Sequence, residues 1–493
     1  MPQPLVFEIG APGREGYTLP QPDVPVRNLD DVLPPGRQRQ ELNLPEVSQI
    51  DLVRHFTRLS QQNFSVDTTF YPLGSCTMKY NPKVNEEAAR LPGFRAVHPY
   101  QPEETVQGVL RLMYELQGYL AEISGLAGIT LQPAAGAHGE LTGMLMVRAY
   151  HEAQGRQRRL VLVPDSAHGT NPATAAMCGY QVASLRSNGR GGVDLAKLRD
   201  LMTDEVAALM LTIPNTLGLF DEHILEVSEI VHSRGGLLYC DGANMNALLG
   251  QVRFADLGCD VLHFNLHKTF STPHGGGGPG AGPVGVSQPL VPFLPIPTVG
   301  YRPEAPDGQK YYLDYDRPRS IGRVRAFYGN FGMMVRAYTY IRILGAEGLR
   351  AVSESAVIHA NYLLARLGEY YHVPYPRRCM HELVLSAKRQ KAHGVRALDI
   401  AKRLIDYGIH PPTIYFPLIV EEALMIEPTE TESLQTLDEF VKAMVEIAEQ
   451  SEKEPDLLLN APHNTPVGRL DEVLAARRPN LRWRPLAPAG QQT

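Results

Sequence analysis

Between residues 159 and 265, short apolar segments alternate with helical ones, and this alternation constrains the fold more than any other feature of the chain. RLVLVP (159–164), QVASLR (181–186), VAALMLTIP (206–214), LLYCD (237–241) and DVLHFN (260–265) read as strands. NPATAAMCGY (171–180), VDLAKLRDLM (193–202) and DEHILEVSEIVHSRGG (221–236) lie between them with helical spacing. Strand and helix in regular turn specify a mostly parallel sheet covered on both faces. In such sheets ligands bind beyond the carboxyl ends of the strands. Chemistry-bearing residues are therefore expected just after each strand.

The rest of the chain extends this frame. ETVQGVLRLMYELQGYLAEISG (104–125) predicts a helix that stops at Gly125. After about residue 335 the character changes. A long helical stretch (334–367) is followed by HELVLSA, the helix ALDIAKRLIDYG, the run TIYFPLIV and a last helix, for which Thr429 and Glu432 suggest a capping box. The expected fold class is α/β, with a large domain built on a mostly parallel sheet and a smaller C-terminal α+β domain. The expected boundaries are an extended arm over 1–60, a large domain over 61–335, a small domain over 336–453 and an irregular tail over 454–493. The Pro-rich arm reads either as a disordered tail or as a segment that wraps a partner subunit.

At 493 residues the chain is too long for one core. Its net charge of −6 carries no basic field, which argues against nucleic acid as a partner. Five scattered cysteines (76, 178, 240, 259 and 379) with no C-x-x-C pair argue against a disulfide framework and a structural zinc. No apolar run is long enough to cross a bilayer, and the N-terminus has no secretory signal pattern. The expected setting is a reducing, bacterial-type cytosol, with an organelle copy stripped of its transit peptide as the alternative.

Of ten lysines, Lys268 alone stands one turn past an apolar strand, in NLHKTF. A buried amine is costly unless its pKa falls or it is used covalently, so Lys268 is a candidate Schiff-base former. The bland alternative is a lysine that escapes to solvent. Asp241 ends the strand LLYCD one strand–helix–strand unit earlier, so the two side chains can meet at one end of the sheet. An acid facing a pyridine nitrogen and a lysine forming a Schiff base are the protein groups that pyridoxal phosphate needs. His168, after RLVLVP, could lie on a planar cofactor, or simply cap the next helix. Asn215 could bond a ring hydroxyl, or form an Asx turn before Gly218. PAAGAHGELTG (133–143) is a small-residue turn entering a helix, where Gly136, Ala137 and His138 could cup a phosphate. Gly275-x-Gly277-x-x-Gly280 matches a dinucleotide fingerprint only formally. Pro279 and Pro283 interrupt any helix, and no acid follows at the required distance. His267 and His274 lack a third ligand at useful spacing, so no metal is expected.

NLHKTF followed by PHGGGGPGAGP resembles the lysine segment of glycine decarboxylase, the P-protein of the glycine cleavage system. TTFYPLGSCTMKYNP (68–82), QPAAGAHGE (132–140), DSAHGTNPATA (165–175), SIGRVRAFYGNFG (320–332) and HPPTIYFPLIVEEALMIEPTETES (410–433) agree with it. The resemblance runs from about residue 60 to 445, and the length matches the second, cofactor-carrying subunit of the two-subunit form. It implies a fold-type I enzyme with pyridoxal phosphate on Lys268, Asp241 at the pyridine nitrogen and His168 stacked on the ring. It also implies that the 135–139 turn and Ser320 hold the phosphate, with Ala243, Asn265 and His267 around the lysine. Ser75, Cys76 and Thr77 would border the glycine pocket. The implied reaction is decarboxylation of glycine with transfer of the aminomethyl group to the lipoyl arm of H-protein. The implied assembly is a heterotetramer of two copies each of this chain and a companion P-protein subunit. The Lys–Asp pair by itself leaves a desulfurase, an aminotransferase, an aldolase or a non-catalytic scaffold open. Arg323, Arg325, Arg377 and His381 are all possible anchors for the substrate carboxylate.

Overall fold

The computed structural model describes residues 3–39, 42, 44–273 and 280–483. The chain divides into two compact units, Val66–Leu459 and a second drawn from Met1–Ser65 and Asn460–Thr493. In the second unit the helix Gln49–Gln61 is capped by the Ser48 hydroxyl, which accepts from the Asp51 N–H. Phe7 stacks on Trp483 with ring centroids 4.9 Å apart.

Seven strands form the main sheet of Val66–Leu459. They are β1 (Gly128–Thr130), β2 (Leu160–Pro164), β3 (Gln181–Leu185), β4 (Val206–Thr212), β5 (Leu237–Gly242), β6 (Val261–Phe264) and β7 (Val284–Val286), in the order β1-β7-β6-β5-β4-β2-β3. All neighbours are parallel except β7, which runs against both β1 and β6. The five strands expected from sequence are found within one or two residues of their expected limits. Alternate residues of β4, β5 and β6 serve two different cores, as a sheet covered on both faces requires. Leu209, Leu238, Cys240 and Leu262 join one apolar cluster. Met210, Tyr239 and Val261 join the other, with Met144 and Val147 of the helix Gly136–Ala153.

The helix Gln107–Ser124 stops where expected, at Gly125, which takes the left-handed conformation (φ 74°). A hairpin of β8 (Thr298–Tyr301) and β9 (Tyr311–Asp314) was not expected from the pattern. Downstream, the helical stretch Phe331–Leu367 is broken at Gly345 (φ 60°). Strands β10 (Leu383–Ser386), β11 (Thr413–Ile414) and β12 (Ala423–Ile426) form a separate antiparallel sheet in the order β10-β12-β11. Helices Ala397–Asp406 and Leu434–Lys453 supply Leu404 and Phe440 to a core shared with Phe70 and Leu363.

Three expectations need correction. The run TIYFPLIV holds a strand of only two residues, which ends where Tyr415 takes φ 58°. The capping box at Thr429 and Glu432 does not form. The last long helix starts at Leu434, and Ser433 is its cap, its hydroxyl accepting from the Thr436 N–H at 3.1 Å. Thr429 instead has φ 63° and its hydroxyl pairs with Thr431 at 3.0 Å. The C-terminal tail is not wholly irregular, since it contains helices Pro455–Leu459 and Glu472–Arg477. His274, glycines 275–278 and Pro279 lie outside the described residues. Gly282, just after them, does pack closely: a Cβ there would fall 2.1 Å from the Ala135 carbonyl oxygen.

A second lysine is more deeply buried than Lys268. Lys79 is 2% exposed, and its Nζ donates to Glu430 Oε1 at 2.7 Å, Tyr340 at 3.0 Å and Asn246 at 3.1 Å. Lys79 follows the 66–78 segment and ties it to residues before and after the long helical stretch. Removing one partner of a buried ion pair leaves the other charge uncompensated. Lys79→Met is expected to destabilise the chain by about 3 kcal/mol or more. The double variant Lys79→Met/Glu430→Leu should recover much of that loss. Denaturant unfolding of the two variants measures the difference.

Candidate active site

The carboxyl ends of β2, β4, β5 and β6 open into a cavity of about 270 Å³. It is the place that sheet topology prescribes. Of the residues expected there, Gly136, Ala137, His168, Asn215, Asp241, Ala243, Asn265, His267, Lys268 and Ser75 line the cavity. Lys268 is half-buried, and its ammonium has no hydrogen-bond or ion-pair partner among the described residues.

Asp241 is the most heavily supported group. Its carboxylate accepts from the Ala243 N–H at 3.0 Å and from Asn171 Nδ2 at 3.2 Å, and lies 3.3 Å from His263 Nε2. Parallel pairing of β5 with β6 puts His263 directly beside Asp241. Tyr239, two residues before Asp241 on the same face, holds the other ring nitrogen of His263 at 2.7 Å. Burial raises the Asp241 pKa, but His263, the Ala243 N–H, Lys268 and Asn171 together outweigh it and hold the carboxyl below its ordinary value. Asn171 is fixed in turn by Glu140, whose other carboxylate oxygen accepts from the Thr170 hydroxyl at 2.7 Å. His263, Glu140 and Asn171 were not singled out from sequence. The signal for His263 was its place in strand register with Asp241.

The helix Gly136–Ala153 points its N-terminus into the cavity with no side-chain cap. Its first N–H groups and its dipole form a site for an anion. Gly136 is required there, because a Cβ would fall 2.5 Å from Asn265 Oδ1. That Asn265 oxygen is buried and has no partner among the described residues. His138 does not face the cavity. Its ring nitrogens are held by the Ala134 N–H and the Val324 carbonyl, both at 3.1 Å, so it shapes the turn. His168 does line the cavity, with Nδ1 2.8 Å from Thr170 Oγ1 and its ring edge-on to Phe416.

Asn215 lines the cavity with its side chain committed to a turn, and Ser320 does not line it. The Asn215 side chain forms the Asx turn: Oδ1 accepts from the Leu217 and Leu219 N–H groups at 3.1 Å, and Nδ2 donates to the Gly191 carbonyl at 2.7 Å. Ser320 is not among the lining residues, and its hydroxyl donates to the Leu294 carbonyl at 2.7 Å.

The opposite wall comes from the small antiparallel sheet. His381 and Glu382 precede β10 and line the cavity. Pairing of Leu383 with Ile426 brings Glu382 beside Glu427, one step beyond the ladder. Ser75 completes this wall, while Cys76 and Thr77, expected at the substrate pocket, are not among the lining residues. The Ser75 N–H donates to Glu382 at 2.8 Å, and the Thr77 hydroxyl donates to Glu427 at 2.8 Å. Asn244 donates to both Glu427 oxygens at 3.1 Å. Burial pushes the Cys76 thiol up to about 11, against the pull of Lys268.

Burial raises both glutamates, Glu382 to about 8 with repulsion from Glu427 added, and Glu427 to about 7 with repulsion from Glu430 added. The pair therefore holds a proton at neutral pH. Both values lie above the ordinary 4.5, so in this window the folded chain binds more protons than the unfolded one. The stability from these groups is fully present below the ordinary glutamate value. It falls as pH rises through 7 to 8, by at most about 1.4 kcal/mol per proton and pH unit. Glu382→Gln should flatten that decline, and urea unfolding followed from about pH 5 to about pH 9 measures it.

Residues 352–463 match the family model of the glycine dehydrogenase C-terminal domain, and residues 141–278 that of the class-V aminotransferases. The chain is 60% identical over 481 residues to the probable glycine dehydrogenase (decarboxylating) subunit 2 of Caldanaerobacter subterraneus subsp. tengcongensis, spanning 97% of this chain and 98% of that one. It is 59% identical to the protein of the same description from Halalkalibacterium halodurans, across 98% of both chains. Its fold is similar to that of a glycine decarboxylase (P-protein) of the glycine cleavage system in inhibitor-bound form, with a TM-score of 0.70, 23% identity and coverage of 85% of this chain and 93% of that one. It is also similar to an apo cysteine desulfurase from Thermococcus onnurineus NA1, with a TM-score of 0.60, 16% identity and coverage of 78% and 95%.

Proposed function

The chain belongs to the family of the glycine dehydrogenase (decarboxylating) subunit 2 proteins and is a subunit of a glycine-decarboxylating enzyme, and we propose that its cavity holds pyridoxal phosphate on Lys268. The observation that carries this reading is the placement of Lys268, an ionised Asp241 and an uncapped helix N-terminus around one cavity. These residues fit the cofactor's three chemical parts. Lys268 supplies the amine for its aldehyde carbon. The Asp241 carboxylate would accept a hydrogen bond from its protonated ring nitrogen, and His263, Asn171 and the Ala243 N–H keep that carboxylate ionised. The N–H groups of Gly136 and Ala137 receive the phosphate, and His168 offers a ring face. Pyridoxal phosphate bound there supplies an electron sink for the pair left behind when a carboxylate departs as CO2.

The chain's own part in the reaction is to position and to exclude water. Lys268 would hold the cofactor's aldehyde carbon until the substrate amine takes its place. The half-closed wall of Ser75, His381 and Glu382 covers the reacting side. We propose that the aminomethyl group passes to the lipoyl arm of H-protein and that a companion subunit completes the enzyme, as two copies of each chain. The name "subunit 2" borne by the relatives supports a companion chain. The second apolar cluster, drawn mainly from residues 360–458, supports a small domain over 336–453 beside a large one over 61–335. No helix among the described residues is long and apolar enough to cross a membrane. All five cysteines are free thiols, which supports a cytoplasmic setting.

Borohydride treatment of the loaded chain should fix the cofactor on Lys268. An adduct mapped to another lysine, including the buried Lys79, contradicts the assignment. Lys268→Ala, assembled with the companion subunit, should lose exchange of labelled bicarbonate into glycine. Retained exchange in that variant contradicts the reading.

A further inference from the structure

We infer that His381 is the group that receives the carboxylate of glycine, beside Glu382, in a cavity wall that carries no fixed positive charge. The inference rests on the functional reading above, because it assumes that glycine is what enters.

His381 is 1% exposed and lines the same cavity as Lys268. Neither of its ring nitrogens has a hydrogen-bond partner among the described residues. A buried imidazole with both nitrogens unpartnered is rare, because each lost bond carries a desolvation penalty. Glu382 Oε2 lies 3.9 Å from Nε2, too far for a hydrogen bond. The ring is therefore poised toward something the cavity receives. Burial, reinforced by Lys268, lowers its pKa to about 3, so it meets a ligand as a neutral N–H donor.

The arginines that could have served instead are committed elsewhere. Arg325 donates to Asn330 Oδ1 at 3.0 Å. Arg377 donates to the Phe220 carbonyl at 2.9 Å. Arg323 lies over the Tyr315 ring at 5.4 Å. None of the three lines the cavity.

A neutral anchor suits this particular substrate group. The carboxylate loses its charge as it becomes CO2. A guanidinium would hold the charged ground state tightly and lose that interaction in the transition state, which raises the barrier. A neutral N–H orients the carboxylate with less of that penalty. The Glu382 carboxyl, protonated at neutral pH, can donate a second hydrogen bond without adding charge.

The test compares His381→Leu, His381→Asn and His381→Arg in the enzyme assembled with its companion subunit and cofactor. Binding of glycine and of methylamine, which is glycine without its carboxylate, is read from the cofactor absorbance. His381→Leu should weaken glycine roughly tenfold to a hundredfold and leave methylamine unchanged. It should also unfold no earlier than the wild type, since it replaces an unpartnered polar ring with an apolar group. His381→Asn, which keeps an N–H, should recover part of the glycine affinity. His381→Arg should lower KM and kcat together. Unchanged glycine affinity in His381→Leu, equal losses for glycine and methylamine, or an unimpaired kcat in His381→Arg would overturn the inference. Absence of glycine–bicarbonate exchange in the wild type would instead overturn the functional reading, so the two failures are distinct.

Discussion

The site depends on keeping one carboxylate ionised in the middle of a protein. A buried acid left to itself takes up a proton. Asp241 avoids this because three elements converge on it: the β5 turn supplies the Ala243 N–H, the neighbouring β6 supplies His263, and the helix after β2 supplies Asn171. Each contact is a product of the parallel sheet. The order β6-β5-β4-β2 puts four carboxyl ends side by side, and the covering helix Gly136–Ala153 brings its N-terminus to the same edge.

The opposite wall obeys the reverse rule. Glu382 and Glu427 are brought together by an antiparallel register, with too little positive charge nearby to let both ionise. One cavity thus has an anionic floor at Asp241 and a neutral, proton-holding wall at His381 and Glu382, with Glu427 behind it. This division suits a reaction that must stabilise a cationic ring on one side and release an uncharged product on the other. The same contrast explains why the 75–77 segment matters: its N–H and hydroxyl groups fix the neutral wall, while the side chain of its thiol is far from reactive.

Much of this was legible in the sequence where one element decides the outcome. β2, β4, β5 and β6 are buried almost throughout, so they read as apolar runs, whereas β3 at the sheet edge is mostly exposed. Lys268 and Asp241 stood out because each follows such a run. β1 and β7 have three residues each, too few for a pattern, and the antiparallel turn at β7 could not be anticipated. Residues that act through pairing were hidden. His263 reads as an ordinary strand residue until its register with Asp241 is known. Glu382 and Glu427 lie in HELVLSA and LMIEPTE, and only the fold makes them neighbours. Lys79 sits in the polar-looking TMKYNP and is nonetheless fully buried, because Glu430 reaches it from a distant segment. For Asn215 the bland turn reading described the side chain correctly, and Ser320 lies outside the cavity.

The division of charge between the two walls can be measured directly by infrared difference spectroscopy of the carboxyl C=O stretch. At neutral pH the chain should show a protonated-carboxyl band that disappears as pH rises through about 8. Glu382→Gln should shift or abolish that band, and Asp241→Asn should leave it in place. No protonated carboxyl at neutral pH, or a band that vanishes with Asp241→Asn, would contradict the account.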